Sequence, residues 1–200
     1  LALILGKRKL SDIDQWLKLF SKGLAADQKK FGIELIGGDT ITSLGPTSIC
    51  ISIFGTPNSK GSLLRSGAKV GDGIFVSGTI GDAALGLMLR GNMSLLCSSK
   101  ENSYCISRYR IPRPRIDLGL ALGGMASAAM DISDGLFQDL SHLCSASNVS
   151  GSVQANKIPL SKEVSSFVNE NKFSIEQVIS GGDDYELIFT APLTKENSIF

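Results

Sequence analysis

Short apolar runs alternate with amphipathic stretches along this chain, and the pattern predicts its strands and helices. Residues 1–5 (Leu-Ala-Leu-Ile-Leu) are continuously apolar, as in a buried strand. Ile13, Trp16, Leu17, Phe20 and Leu24 then recur at helical spacing, which makes Trp16 a core residue. Ser11 with Asp14 three residues on predicts a capped start, Lys29 and Lys30 suit the negative end, and Gly32 closes the helix. Residues 33–36 read as a short strand running into Gly37-Gly38-Asp39-Thr40. In 48–54, Ile49, Ile51 and Ile53 alternate with Ser48, Cys50 and Ser52, which predicts a half-buried strand.

The stretch Gly-Thr-Pro-Asn-Ser-Lys-Gly-Ser at 55–62 is turn-rich, and the domain boundary is placed within it, giving domains 1–57 and 58–200. Beyond it the pattern predicts a strand at 74–77 and a helix over 83–89 with Asp82 near its cap. A polar loop at 91–100 follows, then helices over 101–109 and 116–122. Residues 125–130 are small and apolar and precede Asp131-Ile132-Ser133-Asp134-Gly135-Leu136. In the following helix Leu136, Leu140, Leu143 and Cys144 form the apolar stripe, which leaves Gln138, Asp139 and His142 on the solvated face. A short strand at 151–154, a helix from Ser161 to about Val168 and a final strand at 185–190 complete the chain, and 194–196 opens a further helix. The pattern describes an α/β or α+β protein.

Composition narrows the function. A formal net charge of +1 gives no electrostatic reason to expect nucleic acid or an anionic membrane, and no apolar run reaches the ~18 residues of a membrane span. The 4 cysteines form no C-x-x-C pair and there is 1 histidine, so zinc binding and histidine-based nucleophilic catalysis lack material; reduced thiols in a cytoplasmic protein are expected. Chemistry is left to carboxylates and a hard cation. The segment at 131–136 offers two carboxylates and a hydroxyl at a strand-to-helix junction, where backbone amides and the helix dipole favour anions. Gly37-Gly38-Asp39 and Gly181-Gly182-Asp183-Asp184 each pair approachable backbone with acids that suit Mg²⁺. Each segment also has a plainer reading, with Ser133 or Asp134 as a helix N-cap and the glycines in ordinary turns. Arg108, Arg110, Arg113 and Arg115 around two prolines read as an anion-binding patch or as a solvated basic loop.

Five segments in order, Ile36-Gly37-Gly38-Asp39-Thr40, Arg65-Ser66-Gly67-Ala68-Lys69-x-Gly71-Asp72, Pro112-x-Pro114-Arg115, Asp131 to Leu136, and Ser180-Gly181-Gly182-x-Asp184-Tyr185-Glu186-Leu187, resemble the thiamine-monophosphate kinases. These belong to the ATP-binding superfamily of aminoimidazole ribonucleotide synthetase, and likeness to them implies the fold class α+β, with part of an N-terminal domain followed by an α/β sandwich with a mixed sheet. The resemblance implies Mg²⁺-dependent transfer of the ATP γ-phosphoryl group to thiamine monophosphate in a homodimeric enzyme whose N-terminal domains pair. It implies ATP contacts at Gly38, Asp39, Arg65 and Ser133, metal ligation by Asp39, Asp131 and Asp134, and a substrate contact at Asp183, where many relatives carry Glu. It also implies acidic motifs ahead of Leu1 and an aromatic residue beyond Phe200, so the chain is expected to be partial and inactive alone. The alternatives are a superfamily member with a different acceptor and a non-catalytic, nucleotide-binding remnant.

Overall fold

The structure, a computed structural model, describes residues 1–6, 10–57, 59–91 and 100–195. Its contacts divide the chain into two compact units, Leu1–Thr56 and Pro57–Phe200.

In the first unit, strand β1 (Ala2–Leu5) lies between β2 (Asp39–Thr42) and β3 (Ser48–Cys50). β1 runs parallel to β2, with Ala2 opposite Asp39 and Leu5 opposite Thr42, and antiparallel to β3. A parallel pair needs a crossover, supplied by helix α1 (Leu10–Phe31). Leu3 and Leu5 are buried in β1. The stripe predicted for α1 is present: Ile13, Trp16, Leu17, Phe20 and Leu24 are all partly buried, as are Gln28 and Phe31, and Trp16 stacks on Phe20 at 4.9 Å. Gly32 closes the helix at φ +64°, a left-handed conformation that glycine adopts without penalty. The helix begins at Leu10, ahead of Ser11, and Asp14 pairs with Lys18 one turn on, 3.1 Å away.

Two strand expectations in this unit are corrected. Residues 33–36 are not a strand; Leu35 N–H donates to the Gln28 side chain at 2.7 Å, which holds the segment against the helix end, and pairing starts at Asp39. The strand expected over 48–54 stops at Cys50, and Ile49, Ile51 and Ile53 are exposed rather than half-buried.

The second unit is built on an antiparallel sheet of order β4–β6–β5: β4 (Asp72–Val76), β5 (Ala128–Asp131) and β6 (Leu187–Pro192). The mixed sheet of the structure is therefore the one in the first unit, against expectation. β6 is central and its inner residues Ile188, Phe189, Thr190 and Ala191 are all buried, with Phe189 stacked on Phe75 at 5.4 Å. Helices α2 (Asp82–Gly91), α3 (Lys100–Arg110), α4 (Ile116–Ala121), α5 (Leu136–Ser147), α6 (Lys162–Asn169) and α7 (Ile175–Ser180) accompany it. Ile80, Leu85, Leu89, Ile132, Leu143, Val164, Val178 and Ile188 are fully buried in one core. α2 and α3 pack closely at Gly86, where a methyl group would lie 2.2 Å from the Cys105 carbonyl oxygen. Residues 151–154 carry no strand, and 193–195 form a single 3-10 turn. The loop expected at 91–100 falls largely outside the described residues.

Candidate functional site

The junction between β5 and α5 is a five-residue descent from an exposed carboxylate to a buried helix start. Asp131 ends β5 exposed, Ile132 is fully buried, Ser133 is partly exposed and Asp134 is exposed. The N-cap of α5 is Gly135, at φ +110° and ψ 149°, a backbone conformation in which side chains are rare. The plainer reading of Ser133 or Asp134 as the cap is thus not met. Instead Asp139, in the first turn of α5, folds back and its Oδ2 accepts from the Ser133 and Asp134 amides at 2.9 and 3.0 Å. Asp139 is 1% exposed, not on the solvated face. Two of the amides expected to meet an anion are therefore already engaged, and Ser133 retains its hydroxyl for a ligand.

A second loop closes on this one. Asp183 N–H donates to the Ser133 carbonyl at 2.9 Å, Tyr185 N–H to the Ile132 carbonyl at 2.8 Å, and Ile132 N–H to the Glu186 carbonyl at 2.7 Å. The approach needs glycine on both sides: a methyl group on Gly182 would lie 2.4 Å from the Ser133 carbonyl oxygen, and one on Gly135 would lie 2.9 Å from the Ser180 carbonyl group. Asp183 and Tyr185 have φ of 68° and 48°, which turns the chain at alternate residues and explains why the strand expected from Tyr185 starts only at Leu187.

The outcome is a gathering of acids from two distant segments. The Tyr185 phenol is pushed above its ordinary pKa by burial first, then by the Asp183 carboxylate, to which it is hydrogen-bonded, and by Asp131 and Asp134. Three of the predicted site residues thus act on one hydroxyl. Among the described residues, no three His, Cys, Asp or Glu side chains form a ready-made metal cage. A cavity of about 470 Å³ between α5 and β4, lined by Ile74, Leu136, Leu140 and Thr190, includes none of these acids.

The remaining predicted residues lie elsewhere. Arg65 is exposed; Leu64 O accepts from Ala129 N–H of β5 at 2.9 Å, and Arg65 O from the Ser147 hydroxyl at 3.2 Å. Its guanidinium is not among the charges acting on Tyr185. In the first unit Gly38 is pressed against Leu1, with room for no methyl group within 2.2 Å of the Leu1 carbonyl oxygen. Asp39 N–H donates to that same oxygen at 3.0 Å, and its exposed carboxylate accepts from Thr40 N–H at 2.8 Å.

Beneath the site lies a buried charge network that sequence patterns did not single out. Asp184 is fully buried and accepts from the Gly81 and Ala83 amides at 2.7 and 3.1 Å, so α2 is capped by a residue about a hundred positions away. Burial pushes its carboxyl up to about 6; the two amides and Arg108 oppose the shift and Asp82 adds to it. Glu186, equally buried, accepts from Arg115 Nε and Nη2 at 2.6 Å each, from Arg108 Nη2 at 2.7 Å and from Ser77 Oγ at 2.5 Å. Arg108 and Arg115 are thus neither an anion patch nor a solvated loop, whereas Arg110 and Arg113 are exposed. The Asp-Tyr-Glu and Pro-x-Pro-Arg segments were visible; their pairing across 71 positions was not.

Residues 69–192 match the family described as AIR synthase related protein, C-terminal domain, and the chain belongs to that family. Within it, the similarity is to thiamine-monophosphate kinases. The Escherichia coli (strain K12) enzyme is 41% identical over 184 residues, which cover 92% of this chain and 56% of that protein. The enzyme of Buchnera aphidicola subsp. Schizaphis graminum is 40% identical over 186 residues, covering 91% and 55%. The chain therefore spans about half the length of these curated relatives. The crystal structure of thiamine-monophosphate kinase from Stenotrophomonas maltophilia K279a superposes with a TM-score of 0.81 at 33% identity, over 99% of this chain and 62% of that one. AaThiL complexed with AMPPCP and TMP gives 0.80 at 30% identity, over 98% and 60%. The HypE–HypF complex, at 17% identity and a TM-score of 0.72, shares the fold alone.

Proposed function

We propose that the protein carrying this chain transfers the γ-phosphoryl group of ATP to thiamine monophosphate, giving thiamine diphosphate and ADP. The observation that carries this reading is the closure of the 181–186 loop on the 131–135 loop, after which Asp131, Asp134 and Asp183 all act on the Tyr185 phenol, in a chain about 40% identical to thiamine-monophosphate kinases. The complex of AaThiL with AMPPCP, a nucleotide analogue, and TMP supports the same pair of substrates.

Asp131 and Asp134 would hold Mg²⁺, and the bound ion would supply neutralisation of the charge that spreads over the transferred group. The Ser133 hydroxyl donates to a phosphate oxygen of ATP. Arg65 offers a guanidinium to the nucleotide phosphates. Asp183 faces the acceptor, whose thiazolium carries the complementary positive charge. The acceptor phosphate is ionised near neutral pH, so no residue has to take a proton from it, and exposed His142 has no part.

We also infer a homodimer paired through the first unit. Ile41, Ile49, Ile51, Ile53 and Phe54 are all exposed on or beside β2 and β3, and exposed large apolar side chains grouped on one element suit an interface. Cys50, Cys105 and Cys144 are free thiols, in keeping with a cytoplasmic, reducing setting, and no helix among the described residues is long and apolar enough to cross a membrane.

The test is an assay of the full-length protein with ATP, Mg²⁺ and thiamine monophosphate. Thiamine diphosphate and ADP should form in equal amounts. ADP release only with a different acceptor would assign another reaction, and no release with any acceptor would leave a nucleotide-binding protein. Sedimentation velocity should give twice the chain mass, and Ile49→Asp should shift the species towards monomer; an unshifted monomer in wild type would end the dimer reading.

A further inference from the structure

Residues 183–186 alternate in a way that calls for an external restraint. Asp183 and Tyr185 point to the candidate site from left-handed backbone, at φ 68° and 48°, while Asp184 and Glu186 point inward and are fully buried. Left-handed conformations in residues with a side chain persist only where the surroundings hold them. Three backbone hydrogen bonds to the 131–135 loop provide part of the hold, and the buried carboxylates provide the rest. Asp184 is fastened to the start of α2. Glu186 is fastened by Ser77, by Arg108, which also donates from Nη2 to the Asp184 carbonyl at 3.1 Å, and by Arg115. Arg108 is 3% exposed and belongs to the core. Arg115 differs: its side chain is 34% exposed, it sits at the N-cap of α4, and it grips both Glu186 oxygens in the fork geometry that only arginine provides.

We propose that Arg115 is a positioning residue, which through its two-pronged bond to Glu186 keeps Asp183 and Tyr185 turned towards Asp131 and Asp134. The assignment of substrates to that site rests on the function proposed above; the restraint itself does not. Without Arg115, Glu186 keeps Arg108 and Ser77, so its charge stays compensated and the core stays closed. It loses the fork that fixes its orientation, and Asp183 and Tyr185, the alternate residues before it, lose part of their restraint.

Two measurements on the full-length protein separate the restraint from the reaction. In hydrogen exchange, Arg115→Gln should speed exchange at the Asp183 and Tyr185 amides at least ~10-fold, with the amides of β4 and of the middle of α5 unchanged. Equal acceleration in all three places would show a merely structural residue, and no acceleration would show an idle one; either overturns the proposal whatever the protein catalyses. In steady-state kinetics, Arg115→Gln should raise the KM for thiamine monophosphate at least ~10-fold and the KM for ATP less than ~2-fold. Arg115→Lys, which returns the charge without the fork, should recover only part of the loss, and full recovery would make charge rather than geometry the operative property. If wild type turns over no thiamine monophosphate, the substrate assignment falls and the exchange data alone decide on Arg115.

Discussion

Asp183 and Asp184 are neighbours in sequence that live in different media, one at a partly open surface and one in the core. The Asp184 carboxyl, raised from 3.8 to about 6 chiefly by burial, binds its proton more tightly in the folded chain than in the unfolded one. Between those two values the folded state holds the extra proton, so this group's contribution to stability is largest below about pH 4, falls as pH rises to about 6 and is level above. Asp184→Asn keeps the shape of the protonated form and should be insensitive to that window. Its stability relative to wild type is expected to improve by on the order of 2–3 kcal/mol between pH 4 and pH 7, read by urea unfolding across that range. A difference constant with pH would show an ordinary carboxyl at this position. At exposed Asp131, loss of charge should leave folding alone: Asp131→Asn in the full-length protein is expected to keep the wild-type melting temperature and to lower Mg²⁺-dependent turnover at least ~10²-fold. Turnover like that of wild type would reduce Asp131 to the last residue of a strand. Helical periodicity told these residues apart only in part. It placed Asp139 outward because α5 was read as a helix alone; a loop folded over the first turn, with two amides in need of an acceptor, turns that face inward. Arg108 escaped for a similar reason, since its partner lies in another element.

At the scale of elements, the glycines of the two Gly-Gly-Asp segments are not equivalent to one another. Gly182 is the contact point between two loops and Gly38 presses on the Leu1 carbonyl, whereas Gly37 has nothing within 4 Å of where a side chain would begin. Gly182→Ala should therefore cost about 1–3 kcal/mol, since the Ser133 carbonyl cannot retreat without breaking the bond to Asp183. Gly37→Ala should change stability by no more than ~0.5 kcal/mol. Thermal unfolding of both variants checks the contrast, and equal effects would mean that the loops separate freely. α1 was legible because its periodicity runs from Ile13 to Leu24, about three turns, and β1 because its apolar run is unbroken. The strand read at 33–36 failed on the same evidence: four apolar or charged residues after a helix carry no period long enough to separate pairing from a tail held by Gln28. The late start of β6 was hidden too, because no rule of composition forecasts left-handed backbone at a tyrosine.

For the whole molecule, the order β4–β6–β5 has a consequence for how the chain comes into being. Of the three described strands of this sheet, the one last in sequence is the one in the middle, so β4 and β5 pair only through Leu187–Pro192. On the ribosome both must wait with their edges bare while more than fifty residues after β5 are made, and the second unit closes late, after a long search through distant contacts. Every anchor of the candidate site waits with them, since Asp184 and Glu186 immediately precede that strand. A chain ending at Glu186 keeps all seven helices and all the predicted metal ligands, yet it is expected to show no cooperative urea transition for the second unit by circular dichroism. A sharp transition in the shortened chain would mean that its helices organise themselves first and the late strand is a latch rather than a keystone.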